Sequence, residues 1–518
     1  MKNIVLCSDG TGNSGGRGYE TNVWRLFKSL DLNGHLWDPQ LCEQVAYHDD
    51  GVGTRDNPIH KLWGQATGWG LTENILQLYL FLVNNYEPGD RIYIFGFSRG
   101  AYTARSLAGL IAMCGVLDRR RYEVDELEQH AREAITILRS AFVRGVSEMI
   151  LSKAALEAHT QSVRDTALQF RRKHAVQADG SDTFDVPIEF VGVWDTVDAY
   201  GFPSDTVADW VHFLVYDYKF PDTKLSQLVR SGRQAIAIDD ERRTFHPVLW
   251  DADPEQPERI QQVWFAGVHA NVGGGYPKQG LAMISLDWMM SEAEAIRDGI
   301  PGLRFIAQVR EEIRRSANPY DKIYNSRTGL ALAYGYDPRD MEDLAGKHGL
   351  DRPAIHESVI RRIRSGTEGY APLCLPCDFD IAVTQGTHAD TDELEAVRLK
   401  ICEALRSAAS ARKESRTPPL AAELQTWINV RRLTNWVFFW AAVGIIVAPW
   451  IAGIRFGGDE FVASLLNLPG WHVAAHIWYQ LIVWIAGLAL VVWQATAYAK
   501  RRIRRTTNKF WRNVFRKT

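Results

Sequence analysis

The sequence predicts an α/β fold: a mainly parallel sheet with helical insertions, followed by a two-helix hairpin near the C-terminal end. Three observations carry this. Short β-forming runs recur, several of them ending in Gly, Asp or Ser clusters. Helix-forming stretches, not tight hairpin turns, separate them, and two long uncharged runs follow after residue 435. With 518 residues, 46% of them hydrophobic, the chain can bury a sizeable core.

The first strand is Asn3 to Cys7. It leads into "CSDGTGNS", where small residues after Asp9 leave the Gly10 and Thr11 backbone N–H groups able to face a reacting centre. Asp-Gly-Thr also suits an aspartyl phosphatase, but that chemistry needs a nucleophilic aspartate two residues earlier, and position 7 is Cys. The second strand, Gln44 to Tyr47, runs into "YHDDGVGT". Its Asp49 and Asp50 could share a divalent metal with Asp9, but hydrogen-bonded turns are the better use, and no metal or cofactor is expected. "LTENILQLYLFLVNNYEPGD" is a helix with a Pro-Gly stop.

The third strand, Arg91 to Phe95, feeds through "GFSRG" into the helical "RGAYTARSLAGLIAMCG". Gly-x-Ser-x-Gly between a strand and a helix is the nucleophile-elbow arrangement, which puts Ser98 on a sharp turn that only small neighbours tolerate. The serine would receive the positive end of the helix dipole, and the Arg99 N–H would supply half of an oxyanion hole completed by Gly10 or Thr11.

A serine hydroxyl needs a base, and the base an orienting acid, in the chain order Ser, Asp/Glu, His for this arrangement. The fourth strand, Ile188 to Trp194, ends at Asp195, with Asp198 one turn beyond; Asp195 is the better placed acid. The fifth, Gln261 to Ala266, leads to His269 and a glycine loop, which favours His269 as base. His246 and His356 also follow Asp195 and compete for that role. Gly273 to Gly275 lack the Gly-Lys-Ser/Thr ending of a P-loop.

Residues 1–377 read as the catalytic domain, interrupted by helical insertions at 122–177 and 205–235. Trp210, Phe213, Tyr216 and Tyr218 in the second insertion suit core packing better than an acyl entrance. Cys374 and Cys377 make a lone CxxC, too little for a zinc site, and six cysteines in so long a chain suit a reducing compartment.

Residues 378–435 read as a helical connector. Trp436 to Ile454 and Ile477 to Tyr498 are uncharged and rich in aromatic residues, which predicts a transmembrane hairpin over 436–498 and a basic tail over 499–518. Flanking arginines and lysines would orient both termini and the catalytic domain to the cytoplasm, as a multi-pass inner-membrane protein without a signal peptide. The tail's helical Phe510, Trp511, Val514 and Phe515 fit either a leaflet-bound helix or a solvated segment. Formal net charge is −3 and basic residues concentrate in the tail, so nucleic-acid binding is not indicated.

Together "SDGTGN", "DGVGT", "GFSRGAYTAR", "GVWDTV" and "VWFAGVHANVGGGY" resemble an α/β-hydrolase family, long a domain of unknown function, that includes type VI secretion phospholipase effectors. The resemblance spans roughly residues 2–375 and implies phospholipase or esterase activity, with Ser98 as nucleophile and Asp195 as acid. Asn271 and Gln234 stand where that family often has Asp and His. The expectation is a membrane-anchored serine hydrolase cleaving lipid carboxylic esters through an acyl-enzyme on Ser98, with membrane phospholipid as substrate and anchor. A catalytically silent scaffold and a secreted antibacterial lipase effector are the alternatives; the sequence names no protein partner.

Overall fold

The computed structural model describes residues 1–10, 19–49, 69–141, 152–177, 183–197, 223–297, 299–328, 334–386, 391–410, 424–437 and 471–516. Eight parallel strands form one sheet: β1 Lys2–Ser8, β2 Glu43–Asp49, β3 Arg91–Phe97, β4 Ile188–Trp194, β5 Gly232–Ala237, β6 Ile260–Phe265, β7 Ala354–His356 and β8 Asp380–Ala382. Their spatial order is β2-β1-β3-β4-β5-β6-β7-β8. The chain builds outward from β1 to β2, then returns to the other side of β1 and advances in one direction. That reversal is a topological switch point, where open parallel sheets leave a crevice beyond the strand ends.

β3 and β4 are buried along their whole length, as central strands covered on both faces must be, and both read as near-continuous apolar runs. Alternate side chains pack on opposite layers. Ile4, Leu6, Ile92 and Ile94 meet Leu78, Tyr79 and Leu82 of the helix Trp69–Asn85 and Leu107, Leu110 and Ile111 of the helix Arg99–Cys114. Val5, Cys7, Tyr93, Phe95 and Phe190 meet Leu286, Trp288 and Met289 of the helix Gly280–Glu294.

β5 begins inside the stretch read as the second insertion. Gly-Arg-Gln-Ala-Ile-Ala has one β-branched residue and two long polar ones, so local pattern hides it. It is a buried central strand because the Arg233 guanidinium is neutralised by Glu292 at 2.7 Å. β7 and β8 have three residues each, and β8 extends the sheet past position 377.

Two expectations need correction: the transmembrane hairpin and the multi-pass inner-membrane location. Among the described residues no helix is long and apolar enough to cross a membrane. Residues 438–454 of the first run lie outside the described residues, and the second run falls within one helix, Trp471–Arg516. The end of that run meets protein: Thr496 Oγ1 donates to Thr434 Oγ1 at 2.9 Å, and the Tyr498 ring lies 5.4 Å from that of Trp427. Leu490, Val491 and Trp493 before it are exposed, so the missing charge of the run reports neither lipid nor a protein partner by itself. The tail also meets protein. Trp511 is buried in a cluster with Trp264, Ile355 and Ile360, and its indole N–H donates to the Pro372 carbonyl.

Candidate active site

The sheet register sets the site. Ser8 is level with Gly96, and Phe97 with Trp194, so the exits of β1, β3 and β4 lie side by side at the switch point. Those exits carry Asp9, Ser98 and Asp195.

Ser98 sits at φ 58°, ψ −123°, a backbone conformation costly for a residue with a Cβ. Its N–H donates to the Trp194 carbonyl at 3.0 Å, and its own carbonyl accepts from Ala101 N–H as the helix begins. Both flanking glycines are required. A Cβ on Gly96 would collide with the Gly100 carbonyl, and one on Gly100 with the carbonyls of Ser8 and Asp9. Arg99 opens the helix, so its N–H belongs to the first turn, whose donors lack intrahelical acceptors. Burial pushes the Arg99 side chain down to about 10.

Asp195 is fully buried and also has positive φ, at 41°. Its Oδ2 lies 2.6 Å from His269 Nδ1, and its Oδ1 accepts the Ala237 N–H at 2.9 Å. The Arg339 guanidinium grips it from the other side, with Nη1 2.6 Å from Oδ1 and Nη2 2.8 Å from Oδ2. Burial alone would raise this carboxyl; Arg339 and His269 overcome it and hold Asp195 well below the usual carboxylate range.

His269 opens the short helix His269–Gly273 beyond β6. Its backbone N–H donates to Asp240 Oδ2 at 3.1 Å, and Asp240 is itself paired with Arg242 at 2.8 Å. The imidazole lies between Phe97, centroids 4.7 Å apart, and the edge of Phe245 at 5.2 Å. Burial lowers its pKa, although Asp195 pulls the other way. The Arg242 guanidinium adds to the lowering. Phe97 precedes Ser98, so the imidazole packs on the residue next to the serine. No hydrogen bond joins Ser98 Oγ to His269 among the described residues, and such bonds commonly tighten only around substrate.

The competing histidines are engaged elsewhere. His246 Nε2 lies 3.0 Å from the Asp337 carbonyl oxygen. His356 is buried, caps the helix Glu357–Ser365, bonds the Ser358 and Thr384 hydroxyls, and is pushed down to about 3 by burial. Asn271 ties the loop together, its Oδ1 accepting from Val268 and Tyr324 N–H groups. Gln234 donates to the Val248 carbonyl.

Near β1 the sequence expectation is met unevenly. Gly10 N–H donates to Asp9 Oδ1 at 2.6 Å, which occupies that donor, and Thr11 lies outside the described residues, as do Asp50, Asp198 and the aromatic set from Trp210 to Tyr218. Asp9 Oδ2 accepts from the Thr21 hydroxyl at 2.6 Å and lies 3.6 Å from His48 Nε2, so side chains of neighbouring segments hold this carboxylate. Sequence reasoning missed Arg339 and Asp240. Asp240 had a signal, the acid pair after an unrecognised strand; Arg339, 144 positions beyond Asp195, had none.

Residues 2–292 match the model of the T6SS phospholipase effector Tle1-like catalytic domain. The chain belongs to this family. An uncharacterized protein of Saccharomyces cerevisiae is 28% identical over 273 residues, covering 50% of this chain and 34% of that protein. A structure of the Tle1 effector bound to the VgrG spike of the type 6 secretion system is 17% identical, with TM-score 0.28, over 54% of this chain and 52% of that one. A crystal structure of an uncharacterized protein from Pseudomonas aeruginosa is 15% identical, with TM-score 0.33, over 99% and 66% respectively. The chain thus spans about a third of the length of the yeast relative and about half of the Tle1 effector chain. Ser98, Asp195 and His269 fall within the family match; Arg339 falls beyond it.

Proposed function

We propose that the protein is a serine hydrolase that cleaves carboxylic esters of phospholipids. Ser98 Oγ attacks the ester carbonyl while His269 takes its proton; the tetrahedral intermediate collapses, and His269 returns the proton to the departing lysophospholipid alcohol. Water, deprotonated by the same imidazole, then releases the fatty acid and restores Ser98. Asp195 keeps the imidazole in the tautomer with Nδ1 protonated and stabilises the imidazolium. The Arg99 N–H receives the oxyanion. A second donor from the β1 exit requires Gly10 to leave the Asp9 carboxylate, or Thr11 to serve.

The observation that carries this reading is the buried 2.6 Å Asp195–His269 pair beside a serine held at positive φ on a strand-to-helix turn. Membership of a phospholipase effector family supports phospholipid over other esters, and delivery as an effector over residence as a membrane-spanning enzyme. The test is fatty-acid release from phosphatidylethanolamine and phosphatidylglycerol vesicles by the wild type and Ser98→Ala, with fluorophosphonate labelling in parallel. Turnover and labelling that depend on Ser98 are expected; turnover unchanged in Ser98→Ala overturns the reading.

A further inference from the structure

The first insertion contains a cluster that the ester chemistry does not use. His130 and Glu133 lie one turn apart on the helix Val124–Ala141, and His174 ends the helix Lys153–His174. One ligand atom from each lies within 4.8 Å of the others. His130 Nδ1 and Glu133 Oε2 are 3.2 Å apart, close to the roughly 3.4 Å between ligand atoms around a tetrahedral ion with bonds of about 2.0–2.1 Å. The two imidazole rings have centroids 4.2 Å apart.

We propose that His130, Glu133 and His174 bind a late first-row divalent cation, zinc foremost, which staples the two long helices of the insertion. Two imidazoles and one carboxylate are a borderline donor set of the kind zinc accepts, with water in the fourth position. The site has an outer shell. The Tyr122 hydroxyl lies 2.7 Å from His174 Nδ1 and fixes the ring; in the tautomer with Nδ1 protonated the hydroxyl accepts that proton and Nε2 keeps the lone pair for an ion. Phe170 packs on the same imidazole at 4.7 Å. His174 is buried, His130 half-buried and Glu133 exposed, so an ion has an open side from which to enter. Donors no more than 4.8 Å apart close to about 3.4 Å around a tetrahedral ion.

The ordinary alternative is a partly exposed His-Glu pair beside an unrelated His-Tyr bond, and titration separates the two. The full chain, stripped with a chelator, is titrated with Zn²⁺ by calorimetry, and its Tm followed with and without the ion. One saturable site and a raised Tm are expected, with no response to Mg²⁺. His130→Ala and Glu133→Gln, both at accessible positions, should weaken binding at least tenfold while circular dichroism stays unchanged; the buried His174→Ala should abolish it. Absence of saturable binding in the wild type, or equal affinity in His130→Ala, overturns the proposal.

Discussion

The Ser98 amide donates to the carbonyl of Trp194 at 3.0 Å, which ties the elbow to the strand whose next residue is Asp195. Serine and acid therefore share one backbone frame, and both depart from ordinary φ, at 58° and 41°. Strain at a turn persists only where the surroundings over-determine it, and here the cost falls on the two residues proposed for chemistry.

Relaxing that strain should separate stability from activity. Ser98→Gly admits the same φ without a Cβ and should raise the unfolding free energy by about 1 kcal/mol once the extra chain entropy of glycine is subtracted. Ester hydrolysis should fall at least about 1,000-fold. Urea unfolding beside the vesicle assay checks both; a less stable Ser98→Gly would show that the turn carries no strain to release.

Arg339 and Asp195 form a fully buried fork. Removing one partner leaves an uncompensated charge inside the protein, so Arg339→Met should destabilise the domain by about 3–5 kcal/mol. Pairing it with Asp195→Asn removes both charges, and the double variant should lose much less than the two single losses together. Denaturant unfolding of the four proteins gives the coupling directly; additive losses would argue that the pair does not act as a unit.

The glycines of the elbow differ from glycines elsewhere. Gly100→Ala drives a Cβ into the carbonyls of Ser8 and Asp9, so the helix must retreat from β1; a loss of more than about 3 kcal/mol and of activity is expected. Gly346 lies in the helix Met341–Lys347 with nothing within 4 Å of an added Cβ, and Gly346→Ala should be neutral or stabilising by up to about 0.5 kcal/mol. Thermal unfolding of the two variants side by side is the check.

Much of this was legible from local pattern. Gly-Phe-Ser-Arg-Gly between apolar strand and helix gives the elbow by itself, and Asp195 and His269 each stand at or just beyond a recognisable strand end. What pattern hides is charge neutralised at a distance. β5 reads as polar because Arg233 finds Glu292 only in the fold. Arg339 is an ordinary surface arginine in sequence and a core residue in space. Hydropathy misled the reading of the C-terminal run in a related way, since it counts missing charge and not what a side chain meets: Thr496 and Tyr498 at its end meet Thr434 and Trp427.

The acid limb of the pH profile tests how Arg339 and Asp195 act on His269. As the proposed base, His269 works only when neutral, so activity should be lost as pH falls through its pKa. Burial lowers that pKa, which places the limb below about 6.5, the value of a free imidazole. Asp195 pulls it up and the Arg242 guanidinium pushes it down, while the Arg339 fork sets a positive charge against the same carboxylate. Arg339→Lys keeps a charge yet cannot form both arms of the fork, leaving Asp195 freer to stabilise the imidazolium. Its limb should move to higher pH by a fraction of a unit, while Asp195→Asn, with no carboxylate, should move it lower and cut the plateau by roughly 10⁴-fold. Measuring kcat/KM on a soluble ester from pH 4.5 to 9 decides the matter. A wild-type limb at or above about 6.5, or a downward shift in Arg339→Lys, would mean that burial and the fork do not set the state of the base.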